Sequence, residues 1–285
     1  MKQIFAIVTL ICAGFAAGCQ SAPEKHYPIQ GEVISTDTGR KLITVRHGDI
    51  PGLMPAMTMT YQVAEPRQIE SLQPGDKITA DLVVSESKGR LEKIVLVTKG
   101  DGKTSPGTTQ RTPEKGDAVP DFALVNQDRK IIHYSNYRGK VLLVTFIYTR
   151  CPLPDFCPRM NENFRAVQKL LGDVPGATER AEFLSISFDP EHDTPAVLKH
   201  YASLCKKSAA GKKSFDWQFA VPAAKDSPDV ARFFGLVIQP EQAQIVHSLS
   251  TTVIGPDGKV EKWYSDNEWT PADAAQAMAE AIHRG

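Results

Sequence analysis

The segment from Val141 to Tyr148 reads VLLVTFIY, a nearly continuous apolar run rich in β-branched and aromatic residues. Such a strand needs cover on both faces, as in the middle of a sheet flanked by helices. The surrounding sequence meets that requirement. Glu182 to Phe188 reads as a second buried strand and Phe215 to Val221 as a third. Pro158 to Leu171 places Met160, Phe164, Val167 and Leu171 at helical spacing, and Thr194 to Cys205 reads as a helix with Pro195 in its first turn. A short helix over Ser227 to Phe234 follows. A hairpin of Ser248 to Gly255 and Lys259 to Ser265 turns at Pro256-Asp257-Gly258, and Thr270 to His283 is a closing helix. The order predicts an α/β domain over residues 117–285.

Upstream the text changes character. Gly31 to Ile34, Lys41 to Val45, Met57 to Val63, Lys77 to Val84 and Arg90 to Val97 read as five short strands, which suggests a small all-β barrel or sandwich over residues 27–99. Lys99 to Lys115 is rich in Gly, Ser, Thr, Pro and charge; residues 100–116 are expected to be an interdomain linker. At the N-terminus Lys2 precedes the apolar stretch Ile4 to Phe15 and the residues Ala16-Ala17-Gly18-Cys19, the layout of a secretory signal over residues 1–19. The small residues before Cys19 resemble a bacterial lipoprotein cleavage box, although Ala16 stands where a larger aliphatic residue is usual. That resemblance implies a lipidated Cys19, a tether over residues 20–26 and a protein anchored to a bacterial membrane facing the periplasm. Ordinary secretion with loss of Cys19 is the alternative. With 33 basic and 33 acidic residues, the composition gives no basic excess of the kind that marks a nucleic-acid binder.

Of five cysteines, Cys12 falls in the signal and Cys19 at its end, leaving Cys151, Cys157 and Cys205. Three are too few for a disulfide scaffold. Cys151 follows the buried strand, and Cys157 opens the next helix before Pro158. A helix N-terminus favours a thiolate, so the spacing predicts a lowered pKa for Cys157. Two sulfurs on one loop can form a structural disulfide, exchange disulfides, or hold a soft metal such as Cu(I). Cys205 lies late on a helical face and is expected in the core. His133, His192, His200 and His283 have no partner at ligand spacing.

Methionine is also unevenly spread. Met54, Met57 and Met59 crowd into six residues, with His47 upstream. Met57 and Met59 share one face of a strand. They either fill the barrel core or offer soft thioethers to Cu(I).

Three motifs, FIYTRCP with a second CP, SFDPEHDTP at 187–195 and VHSLSTTVIGPDGK at 246–259, resemble the SCO/SenC copper proteins across residues 117–285. The resemblance implies a thioredoxin-like fold and a copper site made of Cys151, Cys157 and His247, taking Cu(I) and compatible with Cu(II). Five residues separate the cysteines here, where three are usual for that family. Asp189 and Asp193 match its acidic segment; a local turn and a helix cap account for them, with a supporting role near the site as the alternative. Residues 27–99 resemble the CusF-like periplasmic proteins, which implies an OB-like barrel with His47, Met57 and Met59 as copper ligands and Met54 as a further thioether or a lid. The expected function is Cu(I) delivery to an acceptor protein, such as a cytochrome c oxidase subunit. The alternatives are thiol–disulfide exchange on the acceptor's cysteines, which would make the protein an enzyme, and simple copper buffering.

Overall fold

The structure is a computed structural model. It describes residues 24–54, 56–85, 88–100, 112–151, 153–154, 156–207, 215–236, 238–241, 244–247, 249–265 and 269–284. For residues 85, 88, 207, 238–241 and 244–247 only the backbone is described. The signal, Cys19 and most of the linker lie outside the described residues.

The N-terminal part is a closed five-stranded barrel. Its strands are β1 (Lys25–Asp37), β2 (Leu42–His47), β3 (Met57–Val63), β4 (Lys77–Ser85) and β5 (Lys88–Thr98), in the order β1-β2-β3-β5-β4 with β4 returning to β1. Alternation sends Val33, Val45, Met59, Leu82 and Leu91 into one apolar interior. Closure removes exposed sheet edges, which a domain this small could not otherwise cover. Gly31 is required at the β1–β2 crossing, because a Cβ there would meet Val45 Cγ1 at 2.5 Å and the Arg46 carbonyl at 2.6 Å. Asp76, fully buried at the base, accepts N–H groups from Gln73 at 2.9 Å and Gly100 at 2.7 Å, and the Lys99 ammonium at 3.0 Å.

The second part is a seven-stranded sheet with helices. In chain order it contains β6 (Ala123–Asn126), β7 (Ile131–His133), β8 (Val141–Ile147), α1 (Cys157–Leu171), α2 (Ala177–Arg180), β9 (Ala181–Ser187), α3 (Pro195–Lys207), β10 (Asp216–Pro222), α4 (Ser227–Phe233), β11 (Ile238–Glu241), β12 (Gln244–His247), β13 (Thr251–Ile254), β14 (Val260–Tyr264) and α5 (Pro271–Arg284). The sheet order is β14-β13-β8-β9-β10-β6-β7. β8, β9 and β10 run parallel, while β13 and β6 join antiparallel on either side. Every residue of β8 and β9 is buried. α1 and α5 pack on one another and on β8, and α3 packs on β10 and β6. This is a thioredoxin-like α/β domain.

Besides the one-turn α2, two strand pairs depart from the sequence expectation. The antiparallel β6–β7 pair widens the sheet at its N-terminal end, and the β11–β12 hairpin places His247 at the end of a strand opposite Ile238. Both are four residues or shorter, too brief for alternation to register.

Candidate metal centres

β8 delivers Tyr148, Thr149, Arg150 and Cys151 to the end of the sheet, and α1 begins at Cys157. Met160, Phe164, Val167 and Leu171 hold α1 down, all fully buried at the helical spacing the sequence shows. The helix has Pro158 in its first turn and no side-chain cap, so its first N–H groups face the cysteine loop. Both cysteines are free thiols, as is Cys205, which sits in the core as expected.

The two thiols are unequal. The Cys157 thiol donates to Cys151 sulfur; this bond, helped by the main chain at Cys157 and Leu153 and by the Tyr148 hydroxyl, outweighs burial and brings Cys151 down to about 6. Donation to Cys151 and then burial push Cys157 well above the ordinary thiol range. This reverses the expectation that the helix N-terminus would acidify Cys157. A macrodipole contributes about 0.3–1 kcal/mol, less than the roughly 1.4 kcal/mol of a single pKa unit. It cannot offset complete burial of Cys157 beside a neighbouring thiolate. Cys151, only partly buried, is the sulfur that carries the charge.

Asp193 braces this loop. It is fully buried and accepts the Thr149 N–H at 2.9 Å, the Thr149 hydroxyl and the Ser187 hydroxyl at 2.6 Å. The sequence gives the cap of α3 to Asp193-Thr194; Thr194 keeps it, its hydroxyl accepting the Val197 N–H at 3.5 Å, while Asp193 turns to the cysteine loop. Asp189 pairs with Arg150 at 2.7 Å instead of only shaping a turn. Both carboxylates therefore fix the approach to Cys151. His247 lies in β12, and its side chain is outside the described atoms.

In the barrel, β2 and β3 pair so that His47 stands opposite Met57 and Val45 opposite Met59. Directly opposed residues place their Cβ atoms about 4.5–5.5 Å apart, so an imidazole and a thioether share one face. Met57 and Met59 are both buried in the interior cluster, and Met54 packs at its margin. Tyr61, two residues beyond Met59, completes the group: its ring lies 5.9 Å from the His47 ring, and its hydroxyl donates to Met54 sulfur at 3.9 Å. The sequence reading missed Tyr61, although its same-face spacing after Met57 and Met59 was visible. Asp49 accepts the Ala56 N–H at 2.7 Å and ties the intervening loop.

His47 supplies the test of fit. It is 2% exposed. Its Nδ1 lies 2.7 Å from the Gly48 carbonyl, which fixes the proton there and makes Nε2 the acceptor. Nε2 is buried and has no hydrogen-bond partner among the described residues. Burial lowers the His47 pKa, with the Gly48 carbonyl and Asp49 opposing, so the ring is neutral. An unpaired buried acceptor costs about 1–3 kcal/mol, a cost that a soft metal held beside two thioethers would offset. Among the described residues no three His, Cys, Asp or Glu side chains converge.

Fold and donors together define a dithiol protein on a thioredoxin-like frame, preceded by a small barrel with a His/Met cluster. The chain belongs to the SCO1/SenC family, whose model matches residues 110–283. Residues 26–95 match the model for the copper binding periplasmic protein CusF. The SCO1 protein homolog of Bacillus subtilis is 34% identical over 160 residues, covering 54% of this chain and 77% of its own. Among solved structures, BsSco, described as a member of the Sco family of cytochrome c oxidase assembly proteins with a disulfide switch, is 30% identical, with 62% of this chain and all of that one covered and a TM-score of 0.48. ScoI of Arabidopsis thaliana with copper bound is 20% identical, with 59% of this chain and all of that one covered and a TM-score of 0.49.

Proposed function

We propose that this protein is an extracytoplasmic Cu(I) metallochaperone with two copper centres. Cys151, Cys157 and His247 would form one centre, and His47, Met57 and Met59, with Met54 at the margin, the other. The observation that carries the reading is the buried, neutral and unpartnered Nε2 of His47, set opposite Met57 in a barrel that matches a copper-binding model. Thioethers and a neutral imidazole favour Cu(I) over harder divalent ions, and a dithiol favours it more strongly. Family membership supports an acceptor in cytochrome c oxidase assembly. The Ala-Gly-Cys sequence ending at Cys19 supports a lipid anchor facing the periplasm. Among the described residues no helix is long and apolar enough to cross a membrane.

In this reading Cys151 presents a thiolate near neutral pH, and Cys157 yields its proton only when metal arrives. Asp193 and Asp189 hold the loop in position, and Tyr148 donates to Cys151 until the metal replaces it. Transfer to an acceptor proceeds by sulfur exchange at the exposed side of Cys151.

One observation favours a second reading, thiol–disulfide exchange. An acidic, accessible Cys151 beside a buried, protonated Cys157 is also the arrangement of an attacking and a resolving cysteine. His247→Ala separates the two. The chaperone reading expects lost copper affinity at the dithiol centre with disulfide reduction nearly intact. Loss of reductase activity with copper retained would reverse the assignment. Failure of the copper-loaded protein to metallate an oxidase subunit would leave copper buffering.

A further inference from the structure

Leu153 and Phe156, both between the two cysteines, pack against the interior cluster of the barrel that contains Met57 and Met59. β12 lies against β3, the strand that carries those methionines. A second anchor lies at the β1–β2 turn. There Arg40 donates to the carbonyls of Pro113 at 3.2 Å and Thr112 at 3.4 Å, lies 3.9 Å from the Glu114 carboxylate, and stacks 5.7 Å above the Trp263 ring. Among the described residues the barrel thus meets the second domain at the cysteine loop, at β12 and, through Arg40, at Trp263.

We infer that the loop between Cys151 and Cys157 is a docking element for the barrel, and that copper passes within one molecule from the His47/Met57/Met59 centre to the dithiol across this contact. The inference rests on the two-centre reading above. A chain spans at most about 3.3–3.6 Å per residue. Leu153, two residues from Cys151, therefore keeps that backbone within about 7 Å of a side chain touching the barrel, and Phe156 adjoins Cys157 directly. A tethered donor and acceptor meet at an effective concentration on the order of millimolar, far above the micromolar concentration at which separate molecules would exchange. The gradient runs from neutral thioether and imidazole donors to thiolates, which hold Cu(I) more tightly. In the step, bonds to His47 Nε2 and the methionine sulfurs break and bonds to Cys151 and Cys157 sulfur form. The Cys157 proton leaves to water, and copper remains Cu(I), so no electron donor is needed. The longer spacing between the cysteines then has a use: it makes room for the two apolar residues that dock.

The test uses the reduced full chain from residue 20 onward, mixed anaerobically in a stopped-flow cell with one equivalent of Cu(I) supplied as a chelator complex. The Cu(I)–thiolate absorbance in the near ultraviolet reports arrival at the dithiol. The proposal expects a phase whose rate does not depend on protein concentration. Leu153→Ser/Phe156→Ser should slow that phase at least tenfold while still binding two equivalents at equilibrium. Arg40→Ala, which touches neither donor set, should slow it in the same direction and serves if the double variant fails to fold. In the metal-free chain, Phe156→Ser should also shift the methyl resonances of Met57 or Met59. An unchanged rate in these variants, or a parent rate that scales with protein concentration, overturns the relay. A parent chain binding fewer than two equivalents overturns the two-centre reading itself, and the relay with it.

Discussion

Cys151 and Cys157 occupy one loop, yet the hydrogen bond between them is the largest cause of their opposite characters. The donated Cys157 proton holds Cys151 down to about 6 and leaves its own thiol far above the ordinary range. In the reduced metal-free protein, alkylation of Cys151 should rise with pH about a midpoint near 6, because the thiolate is the reactive form. Cys157 should stay unreactive through neutral pH. Cys157→Ala removes the donor, so the Cys151 midpoint should move up toward the free-thiol value of about 8.5. Mass spectrometry of the alkylated peptides against pH reads both effects, and equal reactivity of the two cysteines at pH 7 would contradict the assignment. This asymmetry was not legible in the sequence. Spacing identified Cys157 as a helix start, but not its complete burial or the direction of the thiol–thiol bond.

At the level of elements, β3 poses the question whether methionine is there for packing or for metal. Met57→Leu/Met59→Leu keeps the volume and the apolar face, and swaps of that kind usually cost less than about 1.5 kcal/mol. The barrel should keep its fold by far-ultraviolet circular dichroism and lose its copper equivalent. Unchanged copper stoichiometry would make these methionines core residues only. The loop after β8 depends on Asp193, whose removal leaves the half-buried Thr149 N–H and the buried Ser187 O–H without their acceptor. Asp193→Ala should cost at least about 1 kcal/mol, since an unpaired buried group such as the Ser187 O–H costs about 1–3 kcal/mol, read as a lower urea midpoint with unchanged slope. It should also weaken copper at the dithiol centre. The sequence displayed the central strands and longer helices because each runs long enough for its period to show, and the β13–β14 hairpin through its Pro256-Asp257-Gly258 turn. It concealed β6–β7 and β11–β12, whose brevity erases alternation. It left the braces at Asp189 and Asp193 as the lesser alternative, because an acid after a strand looks the same whether it caps a helix or reaches across the chain.

On the scale of the whole molecule, the change of pattern near Lys99 already divides the chain, and the closed barrel and seven-stranded sheet fall on either side of it. What the text could not convey is that the two halves meet. Leu153 and Phe156 read as loop residues between prolines, and only the folded chain puts them against the barrel interior. Arg40 likewise reads as a turn residue until Trp263 lies beneath it. Loosening that anchor with Arg40→Ala should leave the barrel strands intact and raise amide exchange around Thr112 and Pro113's neighbours. Exchange unchanged there would mean the contact carries little energy.

The central claim is two copper centres in one chain, and an anaerobic Cu(I) competition titration against a strong chelator addresses it most directly. The reduced chain from residue 20 onward should take up two equivalents and Cys151→Ala/Cys157→Ala only one, with the remaining equivalent abolished by adding Met57→Leu/Met59→Leu. A parent chain that binds a single equivalent, or a cysteine variant that binds as much as the parent, would contradict it.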